Sequence, residues 1–184
     1  MEELLEGKIG GKSPIGLYAK SVKGLRKMTK RYYIAYGSNL NIEQMKWRCP
    51  SAKIIGTSEI KNYQLLFKGS KSGSYLTIEP KVGSKVPVAI WETTEVDEKA
   101  LDRYEGYPNF YYKAEIELPI KSVCTGEVFN RTAYIYIMHE DRPYGVPSLA
   151  YVSTCLDGYR YFGFDKNILI KAVYDSRRNC NERQ

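Results

Sequence analysis

Residues 32–39 read Tyr32-Tyr33-Ile34-Ala35-Tyr36-Gly37-Ser38-Asn39, and this stretch sets the start of the fold. Its first five residues are mostly aromatic or β-branched, which favours a strand. Gly37, Ser38 and Asn39 are typical loop residues, so we expect them to end that strand. Residues 41–47 can then form about two helical turns before Pro50 interrupts them. The folded part of the chain is therefore predicted to open with a strand, a tight loop and a short helix.

Further strands are predicted in the middle of the chain and further helices towards its end. The predicted strands are 63–68, 74–79, 86–92, 111–118 and 131–138, and two late helices are predicted at 149–161 and 165–177, broken at Gly163. In the last strand, Ala133, Ile135 and Ile137 alternate with residues 134, 136 and 138. One row should therefore face a core and the tyrosine-rich row a half-polar environment. Because strands and helices are segregated, the pattern predicts an α+β fold with a largely antiparallel or closed sheet.

Another helix is predicted between two of these strands. Val96, Ala100, Leu101 and Tyr104 recur at helical spacing behind Thr93-Thr94 and Asp97, which are typical helix-start residues. The helix is expected to end at Glu105-Gly106, with Gly106 as a left-handed cap.

Composition limits the kind of protein that this chain can form. Its 184 residues, 43% of them hydrophobic, can build a globular core without disulfides or a structural metal. No run approaches the roughly 20 apolar residues of a membrane span, and residues 1–12, MEELLEGKIGGK, lack the apolar stretch expected of a signal peptide. We therefore expect a cytoplasmic protein without a membrane partner. The four cysteines lack zinc-type spacing, and the single histidine, His139, leaves only a Cys–His pair open as an alternative to a solvated strand end.

The positive charge is concentrated at the beginning of the chain. The formal net charge is +7, but residues 1–31 hold eight Lys or Arg and three Glu, which leaves +2 for the rest. Such a body lacks the excess of cations that phosphate neutralisation needs, so the charge argues against a nucleic-acid partner. We interpret residues 1–30 as a basic flexible leader and 31–184 as the functional domain. Translation from Met28 and a basic docking tail are alternative readings of the leader.

Two short segments contain candidate functional residues. In Tyr36-Gly37-Ser38-Asn39, a glycine with positive φ would let consecutive N–H groups converge on a carboxylate or a developing oxyanion, although the same residues are typical of an ordinary turn. In residues 101–107, LDRYEGY, helical spacing places Leu101 and Tyr104 on the buried side, and Glu105 follows close to that edge. A carboxylate among aromatic rings is a better base near neutrality. The alternative is a solvated Glu105 paired with a neighbouring cation.

Together the two segments resemble the gamma-glutamylcyclotransferase-like family. The resemblance consists of an aromatic strand with Y-G-S-N, then L-D-x-x-E-G followed by Y-Y, and later GYRYFGFD at 158–165, and it covers about residues 31–176. It implies a mixed, largely antiparallel β-barrel with flanking helices, and an enzyme that converts γ-glutamyl amino acids or amines to 5-oxoproline and a free amine. It also implies that no metal or cofactor takes part. Glu105 corresponds to the family's essential glutamate, Tyr36, Gly37, Ser38 and Asn39 to its substrate loop, and Tyr112 and Tyr136 to pocket tyrosines.

The residues are consistent with this intramolecular acyl transfer on chemical grounds. The α-amine of a γ-glutamyl amide lies the right number of bonds from the γ-carbonyl to close a five-membered ring, so the substrate supplies its own nucleophile. The enzyme needs one acid/base group, for which Glu105 is the candidate. Two other hypotheses remain: a domain that binds a small ligand without turnover, and a leader that tethers the domain to an acidic partner. The sequence does not indicate the leaving amine or the oligomeric state.

Overall fold

A computed structural model describes residues 29–70 and 73–182 of the chain. Within them, five strands close into a barrel in the order β1-β3-β2-β4-β5. The strands are β1 (Arg31–Ala35), β2 (Lys53–Ser70), β3 (Gly73–Thr93), β4 (Tyr111–Ser122) and β5 (Val128–Met138). Neighbouring strands are antiparallel except β1 and β5, which pair in parallel. The predicted α+β fold with a mixed, largely antiparallel barrel is confirmed. The predicted leader lies outside the described residues up to position 28.

The two longest strands differ from the prediction. The predicted strands 74–79 and 86–92 are parts of one strand, β3, and β2 begins ten residues before the predicted position 63. The register shifts between Lys61 and Tyr63, where Asn62 has φ 61° and its Oδ1 accepts a hydrogen bond from Gly83 N–H at 3.1 Å. These turn-type residues bend a continuous two-stranded ribbon instead of reversing the chain.

Helices flank the barrel and connect its strands. They are a 3₁₀ turn (Ser38–Leu40), α1 (Ile42–Arg48), α2 (Glu95–Glu105), α3 (Leu149–Phe162) and α4 (Lys166–Asn181). Thr94 and Asp97 form a reciprocal capping box at the start of α2, and Gly106 ends it at φ 64°. The predicted left-handed cap is therefore confirmed. Gly163 ends α3 at φ 68°, which confirms the predicted break.

Both side-chain rows of β5 are buried. Ala133 and Ile135 lie in the core, and Tyr134 and Tyr136 are just as inaccessible. The Tyr136 hydroxyl donates a hydrogen bond to Asp102 of α2 at 2.6 Å, so the tyrosine row lies under this helix. This arrangement agrees with the half-polar environment predicted for that row.

A close approach of α3 fixes the loop after β1. A Cβ atom on Gly158 would lie only 2.3 Å from Leu40 Cβ, so glycine lets the helix pack directly on the 3₁₀ turn. Leu40 is fully buried by this contact. Of the helices in the described part of the chain, none is both long and apolar enough to cross a bilayer.

Candidate active site

A cavity of about 330 Å³ lies where β1 ends against α2. Residues 36–39 and Glu105 both line it, so the structure brings the two predicted segments together. Aromatic side chains supply much of the remaining wall: Tyr75, Phe110, Tyr111, Tyr136 and Tyr151. Neither His139 nor any cysteine lines the cavity, so the Cys–His alternative has no support in this site.

The loop after β1 lines this cavity and contains main-chain donors that have no acceptor among the described residues. Gly37 has φ −117°, so the predicted positive φ is wrong. Glycine is favoured here by space instead, because a Cβ atom would lie 3.2 Å from the Tyr151 hydroxyl. Within the described residues, nothing accepts a hydrogen bond from the N–H groups of Ser38 and Asn39, which begin the 3₁₀ turn. Both residues are buried, so little water competes for these N–H groups.

Glu105 is the last residue of α2 and faces the loop across the cavity. Its Oε1 accepts a hydrogen bond from Asn39 Nδ2 at 2.9 Å. Burial raises the pKa of Glu105 to about 7, while the Arg48 charge and the Asn39 hydrogen bond oppose the rise. A group with this pKa can accept and return a proton near neutral pH.

The Asn39 side chain is fully engaged within the protein. Its Nδ2 also donates to the Tyr33 hydroxyl at 2.8 Å, and its Oδ1 accepts from Arg48 Nη1 at 2.6 Å. Asn39 can therefore contact a ligand through its main-chain N–H, whereas its amide positions Glu105.

Two of the predicted tyrosines have hydroxyl groups that donate within the protein. The Tyr36 hydroxyl donates to the main-chain oxygen of Tyr136 at 2.7 Å. The Tyr136 hydroxyl donates to Asp102. Both residues line the cavity.

Tyr112 does not line the cavity, which corrects its predicted placement. Its hydroxyl donates to Glu140 at 2.7 Å, whereas the preceding residue, Tyr111, lines the cavity and donates to the Leu76 main-chain oxygen at 2.8 Å. Successive side chains of a strand point to opposite faces, so only one of the adjacent tyrosines can face inward.

Several residues of the site were not identified from the sequence. Tyr75 and Tyr151 come from β3 and α3, and their rings meet edge to face at 5.2 Å. Neither occurs in a motif that signals a binding role. Tyr104 was expected on the buried side of α2 but is 44% exposed at the rim, where its hydroxyl lies 3.1 Å from Ser38 Oγ. Glu105 is the only carboxylate in the lining, and the described residues form no cluster of three or more metal-ligand side chains.

Comparisons with known proteins agree with the fold. A solved structure titled gamma-glutamyl cyclotransferase superposes with a TM-score of 0.62 at 25% identity, over 78% of this chain and 86% of that one. The structure of YkqA from Bacillus subtilis also gives 0.62, at 14% identity, over 81% of this chain and 55% of its own, which shows a shared fold. The architecture is thus that of a gamma-glutamyl cyclotransferase fold.

The sequence comparison identifies the family. Residues 33–153 match the family described as gamma-glutamyl cyclotransferase, AIG2-like, and the chain belongs to this family. It is 28% identical to the Homo sapiens gamma-glutamylcyclotransferase over 118 residues, which are 60% of this chain and 62% of that protein. The aligned stretch thus spans less than two thirds of the relative.

Proposed function

We propose that this protein is a cyclotransferase that converts γ-glutamyl amino acids or γ-glutamyl amines to 5-oxoproline and a free amine. The observation that carries the proposal is that Glu105, with its raised pKa, shares one cavity with the free N–H groups of Ser38 and Asn39. Family membership supports this reaction class. The proposal requires no metal ion and no cofactor, because the nucleophile is part of the substrate.

Glu105 would act first as a base and then as an acid. Its carboxylate takes a proton from the substrate α-ammonium, and the resulting amine forms a bond to the γ-carbonyl carbon while the carbonyl π electrons move to oxygen. The protonated Glu105 then donates to the departing nitrogen, and the amide C–N bond breaks as the carbonyl re-forms. A second proton passes from the ring nitrogen to the released amine. Both protons therefore end on the leaving group, and Glu105 is restored as a carboxylate.

The loop N–H groups would stabilise the negative charge that develops on the γ-carbonyl oxygen. Main-chain donors held in place by the fold on the cavity lining would need little reorganisation during the reaction, and each such donor typically contributes roughly 3 kcal/mol. The aromatic wall from Tyr75, Phe110 and Tyr111 would exclude water from the substrate.

The proposal is tested by measuring 5-oxoproline release from a panel of γ-glutamyl amino acids and amines. Glu105→Gln keeps the shape of the side chain and removes the base, so kcat is expected to fall by about 10²–10⁴-fold. Glu43→Gln is the matched control, because Glu43 is exposed on α1 and its one ion pair among the described residues is with Lys46. Circular dichroism shows that each variant is folded.

Undiminished turnover in Glu105→Gln would contradict the role of this carboxylate. Saturable binding of the panel compounds to the wild type without any product would instead support a non-catalytic ligand-binding domain.

A further inference from the structure

Arg48, the last residue of α1, contacts the neighbours of the candidate base, Asn39 and Tyr104, without lining the cavity. Its guanidinium stacks over the Tyr104 ring, with Cζ 3.6 Å from the ring centroid. Nη1 donates to Asn39 Oδ1 and Nη2 to Gln44 Oε1, each at 2.6 Å. Planar stacking and two directed hydrogen bonds hold the guanidinium in one orientation.

This contact determines which end of the Asn39 amide faces Glu105. A guanidinium has only donors, so it must face Oδ1, and Nδ2 must then point away from it. The far side of the amide holds Glu105 Oε1 at 2.9 Å and the Tyr33 hydroxyl at 2.8 Å. With Arg48 absent, the amide could rotate and place Oδ1 against the carboxylate, where two acceptors would repel each other.

Arg48 also supplies positive charge near a group that has many aromatic neighbours. Five tyrosines face Glu105 from β1, the following loop, α2, β4 and α3, and burial raises the pKa of each: Tyr33, Tyr36, Tyr104, Tyr111 and Tyr151. They are therefore uncharged when Glu105 titrates. Arg103 lines the cavity from α2 itself. Arg48 is the leading charge that opposes the effect of burial on the pKa of Glu105.

We propose that Arg48 is a positioning residue for Glu105: its guanidinium fixes the Asn39 amide, and that amide presents an N–H to the carboxylate. This inference rests on the proposed function, since it assigns the support of the acid/base group. Charge and orientation are separate contributions, and different substitutions remove them.

The test compares Arg48→Met, which removes the charge and both hydrogen bonds, with Arg48→Lys, which keeps the charge but not the planar fork. Lys46→Met is the matched control, because Lys46 lies on the same helix with its side chain 67% exposed. Two readouts are taken. One is the titration midpoint of Glu105 by ¹³C carboxyl NMR, assigned from the signal missing in Glu105→Gln. The other is the pH profile of kcat/KM for 5-oxoproline release.

Arg48→Met is expected to raise the Glu105 midpoint by about one pH unit and to move the acidic limb of the profile by the same amount. Arg48→Lys is expected to leave the midpoint in place while kcat falls about tenfold, because the orientation is lost. Lys46→Met should change neither readout. Since Arg48 acts through Asn39, the losses in Arg48→Lys and Asn39→Leu should be far from multiplicative in the double variant.

An unchanged midpoint in Arg48→Met, or full kcat in Arg48→Lys, would overturn the positioning role. If Arg48→Met fails to fold, Arg48→Lys still decides by its kcat. If Arg48→Met shifts the Glu105 midpoint but the wild type turns over no γ-glutamyl compound, the proposed function is refuted and the positioning of Glu105 is retained. If the wild type turns over a γ-glutamyl compound but Arg48→Met leaves the Glu105 midpoint unchanged, the proposed function is supported and the positioning role is refuted.

Discussion

Replacing Glu105 by glutamine is expected to stabilise the protein at neutral pH, because the fold holds this carboxylate where its charge is disfavoured. Burial raises the pKa of Glu105 from 4.5 to about 7. Between these two values the folded state keeps a proton that the unfolded state has released. The stability associated with protonated Glu105 is therefore fully present below pH 4.5 and is lost as the pH rises through 7.

The size of the effect follows from the two pKa values. A difference of one between the pKa in the folded state and the pKa in the unfolded state corresponds to about 1.4 kcal/mol in the free energy of unfolding. The ionised Glu105 therefore lowers the free energy of unfolding by about 3 kcal/mol above neutrality. Water that reaches the half-buried side chain makes this an upper limit. Glutamine keeps an oxygen that can accept the Asn39 hydrogen bond and removes the charge.

Urea unfolding of the wild type, Glu105→Gln and Glu43→Gln from about pH 5 to about pH 8 measures this effect. The stability of Glu105→Gln relative to the wild type should rise with pH and level off above neutrality, by up to about 3 kcal/mol. For the exposed control, Glu43→Gln, the difference in stability from the wild type should not change with pH. If the difference for Glu105→Gln is also independent of pH, burial does not disfavour the charge of Glu105, whatever the activity of the protein.

Two further substitutions test the packing and the lining of the cavity. Gly158→Ala should lower the free energy of unfolding by about 1–2 kcal/mol, because the new methyl group overlaps Leu40 and the gain in helix propensity offsets only part of that cost. It should also lower kcat/KM, since Leu40 directly follows Ser38 and Asn39, whose N–H groups are the proposed donors. A variant with the wild-type free energy of unfolding and the wild-type kcat/KM would contradict the close approach of α3 to Leu40. Tyr111→Phe should lower kcat/KM for 5-oxoproline release, whereas Tyr112→Phe should leave it unchanged, and equal losses in the two variants would contradict the observed strand face.

Local signals predicted the elements that carry the site. The aromatic run at residues 32–36 followed by Gly37 correctly predicted a strand that ends in a loop, and the Thr94 and Asp97 pair with Gly106 correctly bounded α2. Each of these signals depends on interactions among residues close in the chain. The resemblance to a family then indicated that two distant segments meet, which no local pattern could show.

The missed features depend on contacts between distant elements or on strand register. Tyr151 reaches the cavity from α3, which begins more than a hundred residues after the loop that it contacts. The choice between Tyr111 and Tyr112 requires the face of a strand to be known, and two adjacent aromatic residues give no alternation from which to read it. Arg48 has the spacing of an ordinary helix-end cation, and the role proposed for it depends on its contacts with Tyr104 and Asn39, which the sequence does not show.

The proposed base and the proposed donors lie at helix ends of opposite polarity, Glu105 at a C-terminal end and the N–H groups at an N-terminal end. Glu105 is the last residue of α2, where the negative end of the helix dipole disfavours a carboxylate in addition to burial. The N–H groups of Ser38 and Asn39 begin the 3₁₀ turn, where the first donors have no acceptor within the turn. One end therefore raises the proton affinity of the base, and the other supplies unpaired donors. The hydrogen bond from Asn39 Nδ2 to Glu105 Oε1 joins the two ends. The fold therefore holds the carboxylate, whose burial lowers stability, next to the residue that carries one of the proposed donors.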